Sequence, residues 1–237
     1  MVYSQSPFDI RFEWGIKGVE TLSPISDAII IVDVMSFSTA VTVAVAKGAI
    51  VFPYRWKDDN RIEFAKSRNA ILACPRGKGE YSLSPLSLNS LKENDRIVLP
   101  SPNGATLSLS TGGTPTYVGC LRNASYVAKV AQLNGDRIAV IACGERWVGD
   151  DTLRPSFEDL LGAGAVISYL NGRLSPEAIS ARSVFENNKD NLNKLLENCS
   201  SGRELIGRKY KSDIKYISEL NVDETAPKLN IDAFMNE

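Results

Sequence analysis

The sequence predicts a layered α/β/α fold with a largely parallel sheet and a mostly helical C-terminal third. Three observations carry this expectation. Apolar, β-branched runs recur through the first 150 positions, a short polar turn follows each, and helix-like stretches separate most of them. Such alternation is how a sheet covered by helices on both faces reads in sequence.

The elements follow in order. Residues 8–14 alternate apolar and polar side chains, the mark of a strand with one buried face. Residues 27–34 are nearly continuous in β-branched types, as in a strand buried on both sides. Residues 36–47 read as a helix, with Ser36 or Ser38 placed to cap it and Gly48 to end it. A strand over 50–54 comes next, then an exposed helix over 58–68 with Ile62, Phe64 and Ala65 inward. A short strand at 70–74 leads into a loop over 75–88 rich in glycine, proline and serine. Then come a strand at 96–100, a helix at 104–109, a strand at 116–119, a helix at 124–133 and a strand at 137–142. The tail reads as helices over 157–170, 176–187, 191–198 and 203–220. A length of 237 residues suits one domain over 1–237, or two intertwined subdomains meeting near residue 150.

Composition narrows the function. A formal net charge of −1, with no long Lys/Arg run, argues against nucleic acid as a partner. The first twenty residues mix charged and apolar types, so no secretory leader is read. The most apolar stretch, 38–52, contains Lys47 and is too short to span a bilayer. Four cysteines lie far apart without a C-x-x-C pair, which reads as reduced thiols in a cytoplasmic protein. Histidine is absent altogether. That excludes histidine phosphatases, Ser-His-Asp hydrolases and His-ligated zinc sites. The oligomeric state is left open.

In open α/β sheets ligands bind beyond the carboxyl ends of strands. The residues expected there are Asp33, Ser38 and Thr39, then Arg76 in the loop after 70–74. They continue with Asn103 and Gly104, Arg122 and Asn123, and Glu145. Turns leading into helices offer free N–H groups to an anion, phosphate above all. Asp33, Glu145, Glu158 and Asp159 in one crevice would repel that anion unless a cation lay between, and Mg²⁺ suits such carboxylates. Plainer roles exist for several of them. Asp33 serves equally well as the cap of the next helix. Glu158 and Asp159 suit a helix first turn on dipole grounds alone. Neither the C-x5-R signature of cysteine phosphatases nor a D-x-D motif is present.

Five blocks give a resemblance: Val32-Asp-Val-Met-Ser-Phe-Ser-Thr39, Ser101-Pro-Asn-Gly-Ala-Thr106, Gly119-Cys-Leu-Arg-Asn-Ala124, Ala142-Cys-Gly-Glu145 and Phe157-Glu-Asp-Leu-Leu-Gly-Ala-Gly-Ala165. With the tail Ser201-Gly-Arg-Glu-Leu-Ile-Gly207, they occur in the order seen in the 2-phosphosulfolactate phosphatase family. The resemblance implies a mixed sheet and a magnesium-dependent phosphatase converting 2-phospho-3-sulfolactate to 3-sulfolactate, as in coenzyme M biosynthesis. It implies catalytic roles for Asp33 and Glu145. Ser38, Thr39, Arg76, Asn103, Gly104, Arg122 and Asn123 become candidates to bind a small anionic ester. Asp33, Glu145, Glu158 and Asp159 become candidates to hold Mg²⁺.

Two departures stand out. Ser36 and Phe37 replace the arginine and small residue usual in the family, and the loop before Ser101 keeps little beyond Arg76. The expected chemistry is metal-assisted attack of water on the phosphate ester, or a covalent aspartyl-phosphate on Asp33. The alternative is a diverged, non-catalytic anion-binding protein on the same fold.

Overall fold

The computed structural model describes residues 2–55 and 60–237. The chain runs β1 (Ile10–Trp14), α1 (Gly15–Leu22), β2 (Ala28–Val32), α2 (Phe37–Ala46), β3 (Ile50–Arg55), α3 (Arg61–Ser67), β4 (Ile71–Leu72), β5 (Arg96–Ser101), α4 (Gly104–Ser108), β6 (Thr116–Gly119), α5 (Ala124–Ala131) and β7 (Ile138–Ala142). A small ribbon follows, β8 (Glu145–Arg146) with β9 (Leu153–Arg154). Then come α6 (Phe157–Ile167), α7 (Pro176–Glu186), α8 (Leu192–Asn198), α9 (Ser200–Gly207) and α10 (Lys211–Ile217). A closing hairpin is formed by β10 (Pro227–Asn230) and β11 (Ala233–Asn236).

Among the described residues, nine strands form one sheet in the order β1-β7-β2-β6-β10-β11-β3-β5-β4. The two flanks are parallel: β1, β7, β2 and β6 on one side, β3, β5 and β4 on the other. The hairpin joins them antiparallel, through Lys228 opposite Tyr117 and Phe234 opposite Val51. The sheet is therefore mixed and mainly parallel.

Both faces are covered, and β2 shows why. All five of its residues are fully buried. Because side chains alternate along a strand, Ile30 and Val32 pack in the layer of α5, α6 and α7, while Ile29 and Ile31 pack against α1, α2 and α4. Burying each such side chain is worth about 1.5–3 kcal/mol. An Asp at position 30 would leave a charge with no partner in that core.

Some elements differ from expectation. Residues 15–22 fold as a helix after the first strand, although Gly15 and Gly18 argue against one. The expected helix over 203–220 is two helices, broken where Lys209 takes a φ of +69°. The helical third also ends in a strand pair at the centre of the sheet. Positions 58 and 59 of the exposed helix lie outside the described residues, and its helical turns run from Arg61 to Ser67. No helix among the described residues is long and apolar enough to cross a membrane.

Candidate active site

Asp33 leaves the carboxyl end of β2 and is buried. Its Oδ1 accepts the Phe37 backbone N–H at 3.1 Å, so it caps the first turn of α2. Its Oδ2 accepts the Gly104 N–H at 2.9 Å, although four strands separate β2 from β5 in the sheet order. That contact explains the glycine. A Cβ at position 104 would lie 2.2 Å from the Phe37 ring and 2.8 Å from Asp33 Oδ2.

Asn103 stands at the end of β5 and donates from Nδ2 to Glu145 Oε2 at 3.0 Å. Glu145 begins the ribbon beyond β7, just after Gly144, whose N–H is held by Asp159. Asp33, Asn103 and Glu145 line one cavity of about 230 Å³. Arg76 enters its wall from the loop after β4. There Nη2 donates to Ser36 Oγ at 2.7 Å and to the Leu83 carbonyl at 3.0 Å. Asp213 of α10 faces Arg76 Nε at 3.6 Å and accepts the Ser84 hydroxyl at 2.7 Å.

Burial raises Asp33 to about 6, opposed by its two backbone hydrogen bonds and helped by the charge of Glu158. Burial also raises Glu145 to about 7, with the Asp33 and Glu158 charges adding to it. Asp159 is pushed up too, by burial and then by the Asp33 and Glu158 charges. The Arg76 guanidinium is lowered by burial, against the pull of Asp213. Such shifts, grouped at one crevice, are the pattern of a functional site.

The other expected residues are placed elsewhere. Ser38 is buried, donating to the Ile31 carbonyl at 3.1 Å and accepting the Asp33 N–H at 2.9 Å. Thr39 bonds the Val34 carbonyl at 2.9 Å. Both hold the β2–α2 turn from inside. Arg122 stacks on Tyr216 at 3.8 Å and pairs with Asp223 and Glu219, clear of the cavity. Asn123 folds back on its own turn, accepting from Cys120 N and donating to the Val118 and Thr225 carbonyls. The Gly104 N–H, expected to face an anion, belongs to Asp33 instead. Asp159 accepts the Val34 and Gly144 N–H groups at 2.7 and 2.8 Å, tying the ends of β2 and β7 together from below. Glu158 lines a neighbouring cavity of about 390 Å³ with Arg154 and Cys199.

The four acids thus lie close enough to perturb one another but not as one ligand shell. Among the described residues, no group of three or more Cys, Asp or Glu side chains is arranged to hold a metal. Leu83, Glu204 and Arg208 are among the cavity-lining residues that sequence reasoning missed as site residues. Glu204 lies in the C-terminal block that carried part of the resemblance, so the signal was present there.

A family model described as 2-phosphosulpholactate phosphatase matches residues 17–231. The chain belongs to the 2-phosphosulfolactate phosphatase family. Its similarity to individual members is distant but nearly end to end. A protein of Pseudothermotoga lettingae named probable 2-phosphosulfolactate phosphatase is 26% identical over 218 residues, 88% of this chain and 92% of the relative. One of Gloeobacter violaceus with the same name is 26% identical over 213 residues, 85% and 88% of the two chains. The 2-phosphosulfolactate phosphatase of Methanocaldococcus jannaschii is 25% identical over 211 residues, 82% and 85%. In this member of the 2-phosphosulfolactate phosphatase family, Ser36 stands beside Arg76 as its hydrogen-bond partner.

Proposed function

We propose that this chain is a magnesium-dependent phosphatase acting on a small phosphorylated 2-hydroxy acid, the class to which the 2-phosphosulfolactate of its relatives' names belongs. The observation that carries the reading is the pair Asp33 and Glu145. These are a buried and a half-buried carboxylate, both with raised pKa values, that share one cavity with Arg76 and Asn103.

Glu145 suits the part of general base. Its value of about 7 lies near working pH, where a base is most effective. Asn103 fixes Oε2, leaving Oε1 to take a proton from the attacking water. The water oxygen bonds to phosphorus, the ester P–O bond breaks, and the hydroxy acid leaves with a proton from solvent. Arg76 faces the negative charge of the ester, held in place by Ser36, Leu83 and Asp213. The two backbone N–H bonds to Asp33 draw charge from its oxygens, which favours attack by water over attack by Asp33 itself.

The donor set fits Mg²⁺, which needs only one or two carboxylates beside water and substrate phosphate oxygens. Asp33, with one lone pair left on each oxygen, would hold it. When bound, the ion supplies neutralisation of phosphate charge. The mutual repulsion of Asp33, Glu145, Glu158 and Asp159 is the kind of field a cation relieves.

Phosphate release from a panel of phosphorylated 2-hydroxy acids tests the reading. EDTA should abolish it and added Mg²⁺ restore it. Full turnover by metal-free protein would overturn the magnesium part. No release from any ester under saturating Mg²⁺ would favour the alternative, an anion-binding protein without catalysis.

A further inference from the structure

We propose that the preferred substrate carries an apolar group at C3, where sulfolactate carries its sulfonate, and that this group sits in a side chamber of the site. The inference rests on the phosphatase reading above. A second cavity, of about 360 Å³, adjoins the polar one. Arg76, Leu83, Pro102 and Arg208 line both, so a ligand held at Arg76 has one end at the chamber mouth. The chamber's remaining walls are Ala73, Cys74, Pro75 and Pro100, which add no charge. Apolar walls with a few polar anchors are the usual make-up of a small-molecule site.

Charge points the same way. The polar cavity presents Asp33, Glu145 and Glu204 against only Arg76 and Arg208. Both arginines already have partners within the protein. Arg76 gives Nη2 to Ser36 and Leu83 and turns Nε toward Asp213, while Arg208 pairs with Glu204 at 2.6 Å. A ligand bearing phosphate, carboxylate and sulfonate would bring three anionic groups to a cavity whose two arginines already face three acids. An apolar group in place of the sulfonate needs no cation, and the chamber offers it contact.

The test compares the 2-phosphates of lactate, 3-sulfolactate and 3-phenyllactate with Mg²⁺ present. It uses the unaltered protein, Cys74→Trp, which fills the chamber from an exposed position, and Leu83→Ser, which makes its shared wall polar. We expect kcat/KM for the phenyllactate ester to exceed that for the sulfolactate ester by about tenfold or more, the scale on which hydrophobic pockets discriminate. We expect that ratio to fall about tenfold in either variant. A ratio does not depend on how much of a variant is folded. Preference for the sulfolactate ester, or a ratio unmoved in both variants, overturns the proposal. Should none of the three release phosphate, the phosphatase reading fails instead. Calorimetric binding of the phenyllactate and sulfolactate esters then decides the chamber by the same ratio.

Discussion

Two turns of this molecule look alike in sequence and do different work. After β5 comes Ser101-Pro-Asn103-Gly104, and after β6 comes Cys120-Leu-Arg122-Asn123, each ending a strand and opening a helix. Asn103 turns its amide to Glu145 in the cavity. Asn123 spends both ends of its amide on nearby backbone. The difference comes from what lies above. Residues 221–225 run over the end of β6, where Asn221 N–H bonds the Leu121 carbonyl and Asp223 N–H the Arg122 carbonyl. The Asp223 carboxylate then claims Arg122. A strand end covered by a later segment becomes a joint, and one left open can become a site.

The largest expected effect tests the residue that does both jobs. Asp33 caps α2 and lines the cavity, so Asp33→Asn separates the roles. Asn can accept only one of the two backbone N–H groups, so about 1–3 kcal/mol of stability should be lost in either case. A residue acting on the ester should also lose about a hundredfold or more in turnover per folded molecule, roughly 2.7 kcal/mol of barrier. A residue that only caps should keep its turnover per folded molecule.

The paired asparagines give the next contrast. Asn123→Ala would strand Cys120 N and two carbonyls in a buried place and should cost about 2–3 kcal/mol in denaturant unfolding, with activity per folded molecule kept. Asn103→Ala should do the reverse, lowering turnover and shifting the basic character of Glu145 in the pH–rate profile. If both variants lose stability alike, the distinction between joint and site collapses.

A smaller effect concerns acid. Asp33 and Glu145 have folded values of about 6 and about 7, above the ordinary carboxylate range. The folded state therefore binds protons more tightly than the unfolded chain, and stability falls as pH rises through those values. Metal-free protein should gain on the order of 2 kcal/mol between pH 8 and pH 5.5, read from melting or urea midpoints. Saturating Mg²⁺ should flatten or reverse that slope. A metal-free protein most stable at pH 8 would contradict the raised values of these two carboxylates.

Much of this was legible in the residues. The β-branched runs marked β2 and β7, and the strand-end rule led to Asp33, Asn103 and Glu145. Arg122 and Asn123 misled the same rule because the segment covering them lies a hundred positions away. Arg208 belongs to the cavity only because α9 folds across its mouth, a tertiary fact without local signature. The closing hairpin escaped notice for reasons visible in its composition. It opens on Pro227, which suits a strand start or edge better than a central strand. Its turn also uses Ile231 at a φ of +60°, a conformation that β-branched residues seldom adopt.

That hairpin has a consequence for how the molecule is made. Ribosomes deliver the chain from its N-terminal side, so β3 and β6 emerge long before the two strands that lie between them. Phe234 meets Val51 only after more than a hundred and eighty intervening positions have been synthesised. Without that ribbon each half-sheet would carry a bare inner edge of unpaired N–H and carbonyl groups, the kind of edge that recruits stray strands. The ribbon is thus the joint between two half-sheets, and its pairing with β6 and β3 covers an inner edge on each.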